Sequence, residues 1–233
     1  ADRTPMINAG MVFSDRHAGG INYPKGGVGV IAEKLVKGLE NNGGKIQYKA
    51  KVERVLIEGN QAVGVQLING EIIKARKVVS NATRWDTFSG EESSKALVDE
   101  EHTPQREKTW RRRYLPSPSF LSLHLGVNSG AIPQESHCHN LLLDKWDEME
   151  AEQSVAFISI PTLLDPSLAP EGKHIVHAFT PSSIKAWQKL SPTAYASKKQ
   201  ADADRLIKKL ERVLPGLSNS ITHREVGTPR SHR

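Results

Sequence analysis

The chain has 233 residues, of which 37% are hydrophobic and 25% are charged, and its 32 basic and 26 acidic side chains leave a formal charge of +6. This composition is typical of a globular protein that buries a substantial core. No apolar run approaches the ~18–20 residues of a membrane-spanning helix, so we expect none. The single cysteine excludes an internal disulfide, and the small charge surplus does not require nucleic acid as a partner.

Both ends of the sequence suggest a part of a longer protein. It begins at Ala1 and stops at Arg233 without a structural boundary. The first residues are polar and lack the apolar core of a secretory signal peptide. We therefore expect the chain to be a segment from the interior of a longer protein.

The first predicted elements are a glycine-rich loop, INYPKGGVGVIA at 21–32, and a helix that NNGG at 41–44 ends. The loop lacks the Gly-Lys-Ser/Thr of a P-loop and the spacing of a dinucleotide fingerprint. Two interpretations stay open: a tight turn that lets the helix start beside a strand, or a backbone that approaches a flat ligand at the helix N-terminus. The apolar helix positions are Val28, Ile31, Ala32, Leu35 and Leu39.

The pattern then changes to that of short strands over 45–81. A strand is predicted to begin at Ile46 and Tyr48, and an antiparallel meander follows. Val78-Val79 is a short apolar run typical of a buried strand. A helix followed by strands with an inserted hairpin layer indicates the α/β class. The predicted strands of the meander are 52–57, 62–67 and 72–73.

The remainder of the chain predicts helices and loops over 82–116 and then a mainly antiparallel sheet. In the strand at 117–127, alternate leucines share one face, while Phe120, Ser122 and His124 share the other. A long helix is predicted to start at Ser191-Pro192, an N-cap followed by proline. The further strands are 139–143, 154–160, 174–180 and 221–226, and a basic loop follows at 227–233.

Two side-chain clusters give weaker functional hints. His137-Cys138-His139 resembles a metal-ligand cluster, but strand alternation would separate the histidines from the cysteine, and no second cluster completes a zinc site. We therefore predict a polar strand edge there and no metal site. Arg111-Arg112-Arg113 is either a solvated helix face or a surface for phosphate or lipid headgroups.

Several longer stretches resemble one group of flavoproteins. The order of YPKGGVGVIA, a helix and NNGGKIQYKAKVERVLIEGNQAVGVQLINGEIIKARKVVSNA is similar to the middle of the group that contains phytoene desaturases, retinol saturases and amine oxidases. Within this group, four stretches resemble carotenoid isomerases: INYPKGGVGVIA, SNATRWDTF at 80–88, SIPTLLDPSLAPEGKHIVHAFT at 159–180 and VGTPRSHR at 226–233. The segment at 89–110 departs from that pattern, so nothing is carried over there.

The resemblance implies a mixed α/β fold that is part of a two-domain FAD-dependent oxidoreductase. The G-x-G-x-x-G fingerprint and the Gly-Asp segment of the family are missing from the chain. What remains is part of the FAD domain with its β-meander, plus an antiparallel substrate-domain sheet. The implied boundaries are 1–25 for a substrate-domain segment, 26–82 for the FAD-domain part, 83–220 for the substrate domain and 221–233 for the return towards the FAD domain.

The resemblance also implies site residues. Val52 matches the residue whose backbone meets the adenine end of FAD, and Asn81 and Ala82 match a buried strand end near the cofactor. No catalytic acid or base is carried over, because the flavin is the reactive group. The residues that match the loop lining the cavity for substrate and flavin are Gly26, Gly27 and Val30.

The implied activity is FAD-dependent cis–trans isomerisation of poly-cis-lycopene to all-trans-lycopene in carotenoid biosynthesis, with reduced FAD and with NAD(P)H as an external reductant. The implied partner is a hydrophobic polyene, with no nucleic acid. Because such a substrate is lipid-soluble, we also expect peripheral contact with a membrane, for which the basic stretch 106–113 is the candidate surface. The implied location is a plastid or a cyanobacterial cell, at photosynthetic membranes.

The chain alone is expected to be inactive, because the turn that binds the diphosphate is missing. Two alternatives stay open. One is an FAD-dependent carotenoid desaturase or retinol saturase, and the other is a non-catalytic fragment or lipid-binding module.

Overall fold

The computed structural model describes residues 22–88, 96–114, 119–149 and 151–231. The chain divides into two compact units, one at Leu39–Ser117 and one that joins Ala1–Gly38 to Pro118–Arg233. Both contain helices and strands, which confirms the mixed α/β class. Among the described residues, no helix combines the length and apolarity needed to cross a bilayer. The predicted segments at 1–21 and 232–233 lie outside the described residues, and the domain boundaries stay a prediction.

The helix predicted after the glycine loop forms as α1, Gly29–Asn41. It ends where Gly43, at φ +79°, turns the chain and the Gly44 amide donates to the Leu39 carbonyl at 2.9 Å. None of its residues is buried. Val28 and Leu35 are 62% and 69% exposed, so the apolar stripe found in the sequence is uncovered among the described residues.

The unit at Leu39–Ser117 is built on the predicted antiparallel meander. Its strands are β1 (Val52–Glu58), β2 (Gln61–Leu67) and β3 (Ile72–Lys74), paired in the order β1-β2-β3. Asn69 helps to form the second turn, because its side-chain oxygen accepts the Glu71 amide at 3.0 Å and Gly70 takes φ +87°. The predicted meander and its turns are therefore confirmed.

Two strands predicted in this region are wrong. Ile46 and Tyr48 form no strand, because the chain turns at 48–49, where Lys49 takes a left-handed φ of +57°. Val78-Val79 also forms no strand, and Val79 is 94% exposed. A strand needs a paired neighbour for its backbone groups, and the sheet pairings of the described residues include none for 78–79.

Two predicted helices complete this unit, α2 (Arg84–Phe88) and α3 (Gln105–Arg113). The Arg84 guanidinium joins them through two hydrogen bonds to the Glu107 carboxylate, at 2.6 and 2.9 Å. It also lies 4.1 Å from the ring centre of Trp110, which packs on Trp85 at 5.1 Å. Arg111, one of the three consecutive arginines, donates to the Glu100 carboxylate at 2.6 Å. Its charge is therefore paired within the unit.

The other unit contains one antiparallel sheet of five strands in the order β5-β6-β7-β4-β8. The four strands predicted between 117 and 180 share it, and the predicted final strand pairs at its edge; the start of the first prediction, 117–118, lies outside the described residues. The strand bounds are β4 (Ser119–Asn128), β5 (His139–Leu143), β6 (Val155–Ser159), β7 (Lys173–Ser182) and β8 (Ile221–Gly227).

One face of this sheet is covered by α4 (Pro192–Leu210), and a short α5 (Leu217–Ser220) leads into β8. The predicted start of α4 is confirmed, since the Ser191 hydroxyl accepts the Ala194 amide at 3.3 Å and Pro192 follows. The alternate β4 residues Leu121, Leu123, Leu125 and Val127 pack in one buried cluster with α4 side chains such as Leu206 and Leu210.

Candidate functional site

The face of the five-stranded sheet opposite α4 is open and carries aromatic and imidazole side chains. It follows from the alternation of β4, whose leucines fill the core while Phe120 and His124 point the other way. Phe120, Leu141 and Phe157 are 41%, 53% and 41% exposed on this face. An exposed apolar patch of this kind marks an interaction or ligand surface.

Three phenyl rings lie side by side across the middle of the open face. Phe157 and Phe179 lie directly opposite each other on β6 and β7, with ring centres 4.8 Å apart and planes only 9° apart. Phe120 on β4 packs against Phe179 at 5.5 Å, with its plane tilted by 52°. Together the three rings form a rigid apolar patch across three strands, which we call the phenyl stack.

Two histidines continue this surface. His124 and His177 are paired in register on β4 and β7, and their rings stack at 4.3 Å with planes 20° apart. Burial lowers the pKa of His177 below its ordinary value of 6.5, and neighbouring His124 lowers it further. His177 therefore stays neutral to a lower pH than a solvated imidazole. Burial disfavours the charged ring, and a second cation on the stacked His124 would repel it.

A polar cavity of about 590 Å³ adjoins the histidine pair at the edge strand β8. Glu225 lies opposite His124 in register, and Lys199 and Gln200 of α4 contribute the far wall. The cavity gives the apolar stack a polar border. Its lining residues are Ser122, His124, Lys199, Gln200, Arg224, Glu225, Val226, Gly227 and Ser231.

The three residues predicted to line the substrate cavity lie together, Gly26 and Gly27 in the glycine loop and Val30 in the first turn of α1. Gly26 and Gly27 take left-handed φ values of +86° and +88°, which favour glycine. A side chain at Gly26 would approach Val30 to 2.9 Å, and the Val30 amide donates to the Gly27 carbonyl at 3.3 Å. The structure thus confirms a tight turn before α1, while their substrate role stays a prediction.

The three residues predicted to meet FAD belong to the meander unit. Val52 opens β1, half-buried and opposite Leu67. Asn81 and Ala82 are exposed and precede α2. The buried strand end expected for them is wrong, because 78–79 is not a strand, and their cofactor role stays a prediction.

The sequence HCH at 137–139 does not assemble ligands. The His139 Nδ1 atom lies 3.0 Å from the Ser159 hydroxyl, and the Cys138 sulfur lies 3.8 Å from His139 Nε2. Burial raises the pKa of the Cys138 thiol, so a reactive thiolate is disfavoured. Within the described ranges, three potential metal-ligating side chains converge only at Asp99, Glu101 and His102, of which the two acids are exposed.

Sequence reasoning missed Phe157, Phe179 and His177 as site residues. Each lay in a predicted strand at an outward position, and this alternation was the available signal. Their grouping depends on which strands are neighbours and in what register, since they come from β6 and β7 and meet the β4 side chains only in the sheet.

Comparison with known proteins gives matches over nearly the whole chain. The family model for flavin containing amine oxidoreductase matches residues 9–229. The chain is 51% identical over 233 residues to a protein of Daucus carota named prolycopene isomerase, chloroplastic. The alignment covers 99% of this chain but 37% of that protein. It is also 25% identical to a neurosporene-forming phytoene desaturase of Cereibacter sphaeroides, over 92% of the chain and 42% of the relative.

Among solved structures, an oxidoreductase of Methanosarcina mazei superposes with a TM-score of 0.67 at 20% identity, over 97% of this chain and 48% of the other. This likeness supports the fold. The chain thus spans less than half of the length of each of these three proteins.

The histidine pair predicts a pH dependence of stability. The pKa of His177 is lower in the folded state than its ordinary value of 6.5, so below about pH 6.5 the unfolded chain binds more protons. The free energy of unfolding should therefore fall as the pH drops from 7.5 to 5.5, and His177→Gln should flatten this slope. Urea unfolding at each pH measures it.

His137→Gln provides the control, because His137 is an exposed histidine just before β5. Its slope should match that of the unsubstituted protein. A His177→Gln slope as steep as the original would contradict the assignment.

Proposed function

We propose that this chain, which belongs to the flavin-containing amine oxidoreductase family, is the substrate-binding part of an FAD-dependent carotenoid isomerase. The reaction is the cis–trans isomerisation of poly-cis-lycopene to all-trans-lycopene. The 51% identity to a protein named prolycopene isomerase supports this choice within the family. Because the chain spans 37% of that relative, we assign the activity to a longer protein that contains it.

The observation that carries the proposal is the open phenyl stack. Phe157 and Phe179 offer parallel rings, and Phe120 extends them across a third strand. A polyene is flat, apolar and long, so it gains contact along such a surface without needing any hydrogen bond. The contribution of these side chains is to hold one double bond in position while it rotates.

The flavin is assigned to the meander unit through the family resemblance of Val52, Asn81 and Ala82. Asn81 and Ala82 are exposed residues, and Val52 is half-buried at the start of β1, so all three are accessible to a ligand. When bound in its reduced form, with NAD(P)H as the source of electrons, the flavin would supply electron density that lowers the order of the cis double bond.

We also propose a plastid location with peripheral membrane contact. The similar Daucus carota protein is named as chloroplastic. The outer face of α3 presents Arg106, Arg112 and Arg113 as exposed side chains, whereas Arg111 is engaged by Glu100. Three exposed guanidinium groups on one short helix complement the negative charge of anionic lipid headgroups.

A carotenoid desaturase is the second candidate, because the phytoene desaturase of Cereibacter sphaeroides is also similar to this chain. Both activities would use the same apolar surface and flavin. They differ in the product, since desaturation removes two hydrogens and isomerisation removes none.

The full-length protein with reduced flavin, incubated anaerobically with prolycopene, should yield all-trans-lycopene of unchanged mass. Liquid chromatography with mass spectrometry measures both properties. Phe179→Ala should raise the KM about tenfold, since a well-stacked ring contributes about 1.4 kcal/mol. Trp146→Ala removes an exposed aromatic outside the sheet and should leave the KM unchanged. A product lighter by two hydrogens would favour the desaturase.

The Val52 assignment predicts a change in flavin retention. Val52→Pro removes the backbone N–H and should reduce the flavin retained by the full-length protein several-fold. Val52→Ile keeps the N–H and the strand and should retain flavin normally. The visible absorbance of the purified protein measures both. Equal flavin content in a folded proline variant would refute the assignment.

Membrane contact is testable with vesicles. Replacing Arg106, Arg112 and Arg113 by glutamine should weaken binding to anionic vesicles on the order of a hundredfold, at about 1 kcal/mol for each cation. A control variant replaces three exposed lysines outside α3 by glutamine, which removes the same charge: Lys185, Lys189 and Lys208. It should bind the vesicles nearly as the original protein does. Cosedimentation measures the binding, and equal losses in both variants would argue against a specific surface.

A further inference from the structure

The turn between Pro161 and Leu168 contacts the glycine loop although the two are far apart in the sequence. A side chain at Gly27 would lie 3.2 Å from the Leu168 side chain, so the loop backbone lies directly on this turn. Gly27 is buried, while Gly26 and Lys25 are exposed. The loop therefore has one side packed and one side accessible.

One carboxylate joins these two segments. Asp165 Oδ2 accepts the Gly26 amide at 2.7 Å, across 139 residues of sequence. Asp165 Oδ1 accepts the Ser167 amide at 3.1 Å and the Ser167 hydroxyl at 2.6 Å. Both oxygens are used, one for its own turn and one for the loop.

The electrostatics agree with this arrangement. The Ser167 hydroxyl and the Gly26 amide hold the pKa of Asp165 below its ordinary value of 3.8, and neighbouring Lys25 acts in the same direction. The carboxylate is thus ionised near neutral pH and accepts charge-assisted hydrogen bonds.

The Gly26 amide is bonded outside the loop, whereas the Gly27 amide is bonded within it. Gly26 is the first of two consecutive residues with left-handed φ, and the Gly27 amide closes the turn on the Pro24 carbonyl at 2.9 Å. Glycines populate many backbone conformations, so two in succession do not define one shape by themselves. An external acceptor for the first amide selects one of these shapes.

We propose that Asp165 is a positioning residue that fixes the conformation of the Gly26–Gly27 loop. The proposal deepens the function proposed above and rests on it, because the resemblance to carotenoid isomerases implies that Gly26 and Gly27 belong to a loop that lines the substrate cavity. Without the carboxylate, the loop samples several conformations, so only a fraction of the molecules has the conformation that binds the polyene.

The position of Lys25 provides a direct test. Trypsin cleaves after lysine, and the bond that follows Lys25 contains the nitrogen held by Asp165. In the full-length protein, Asp165→Ala should increase the rate of cleavage at this bond about tenfold. Hydrogen exchange of the Gly26 amide, measured by mass spectrometry, should accelerate by a similar factor.

Asp165→Asn keeps a single side-chain oxygen, for which the Gly26 and Ser167 amides compete, so its protection should lie between that of the Ala variant and that of the original. Ser167→Ala leaves both carboxylate oxygens in place and should stay within about twofold of the original. If Asp165→Ala does not fold, Asp165→Ser replaces it, because its one oxygen can accept the Ser167 amide but leaves none for the Gly26 amide. Unchanged exchange in the folded Ala or Ser variant would overturn the proposal.

Kinetics separates positioning from general stability. Asp165→Ala should lower kcat/KM for prolycopene severalfold, and Asp165→Asn should recover part of it at unchanged thermal stability. A loosened loop with unchanged kcat/KM would overturn the positioning role. If the unsubstituted protein lacks isomerase activity, the proposed function fails, and exchange still decides whether Asp165 fixes the loop.

Discussion

The pairing of β4 with β7 is the constraint on which the substrate-side unit depends. Ten residue pairs run without a bulge from Ser119 opposite Ser182 to Asn128 opposite Lys173. Because side chains alternate, this one register decides both faces of the sheet at once. It directs the leucines of β4 into the core against α4, and it places the rings of Phe120 and His124 beside those of Phe179 and His177. A slip by one residue would bury the imidazoles and expose the leucines.

Long-range polar contacts then fix the segments that the sheet does not hold. Lys209 of α4 donates to Asp144 at 2.7 Å and to the carbonyls of Gln153 and Ser154, which ties the helix to the connection between β5 and β6. Asp165 does the same for the glycine loop. In both cases one side chain makes three hydrogen bonds and links segments that are far apart in the sequence. The surface proposed for the polyene is thus built on rigid strands, and the glycine loop is joined by Asp165 to the turn between Pro161 and Leu168.

The phenyl stack and the membership of the flavin family together indicate how the proposed reaction is divided between protein and cofactor. In the proposed function, the phenyl rings position the substrate and the flavin supplies the reactivity. The histidine pair lies beside these rings, where burial and neighbouring His124 lower the pKa of His177 and favour its neutral form. This arrangement agrees with an isomerase or a desaturase, and the product distinguishes them.

The sequence by itself determined the features that arise from neighbouring residues. The length of α1 follows from its apolar spacing and NNGG, the meander turn from Asn69-Gly70, the start of α4 from Ser191-Pro192, and the two-faced character of β4 from its alternation. Each depends on hydrogen bonds or sterics within a few residues, and the structure confirms each. Tertiary structure alone decided which strands are neighbours, and therefore that Phe157 and Phe179 stack. It also decided that Val78-Val79 forms no strand and that Asp165 binds Gly26. These outcomes depend on contacts between residues distant in sequence, for which local pattern carries no signal.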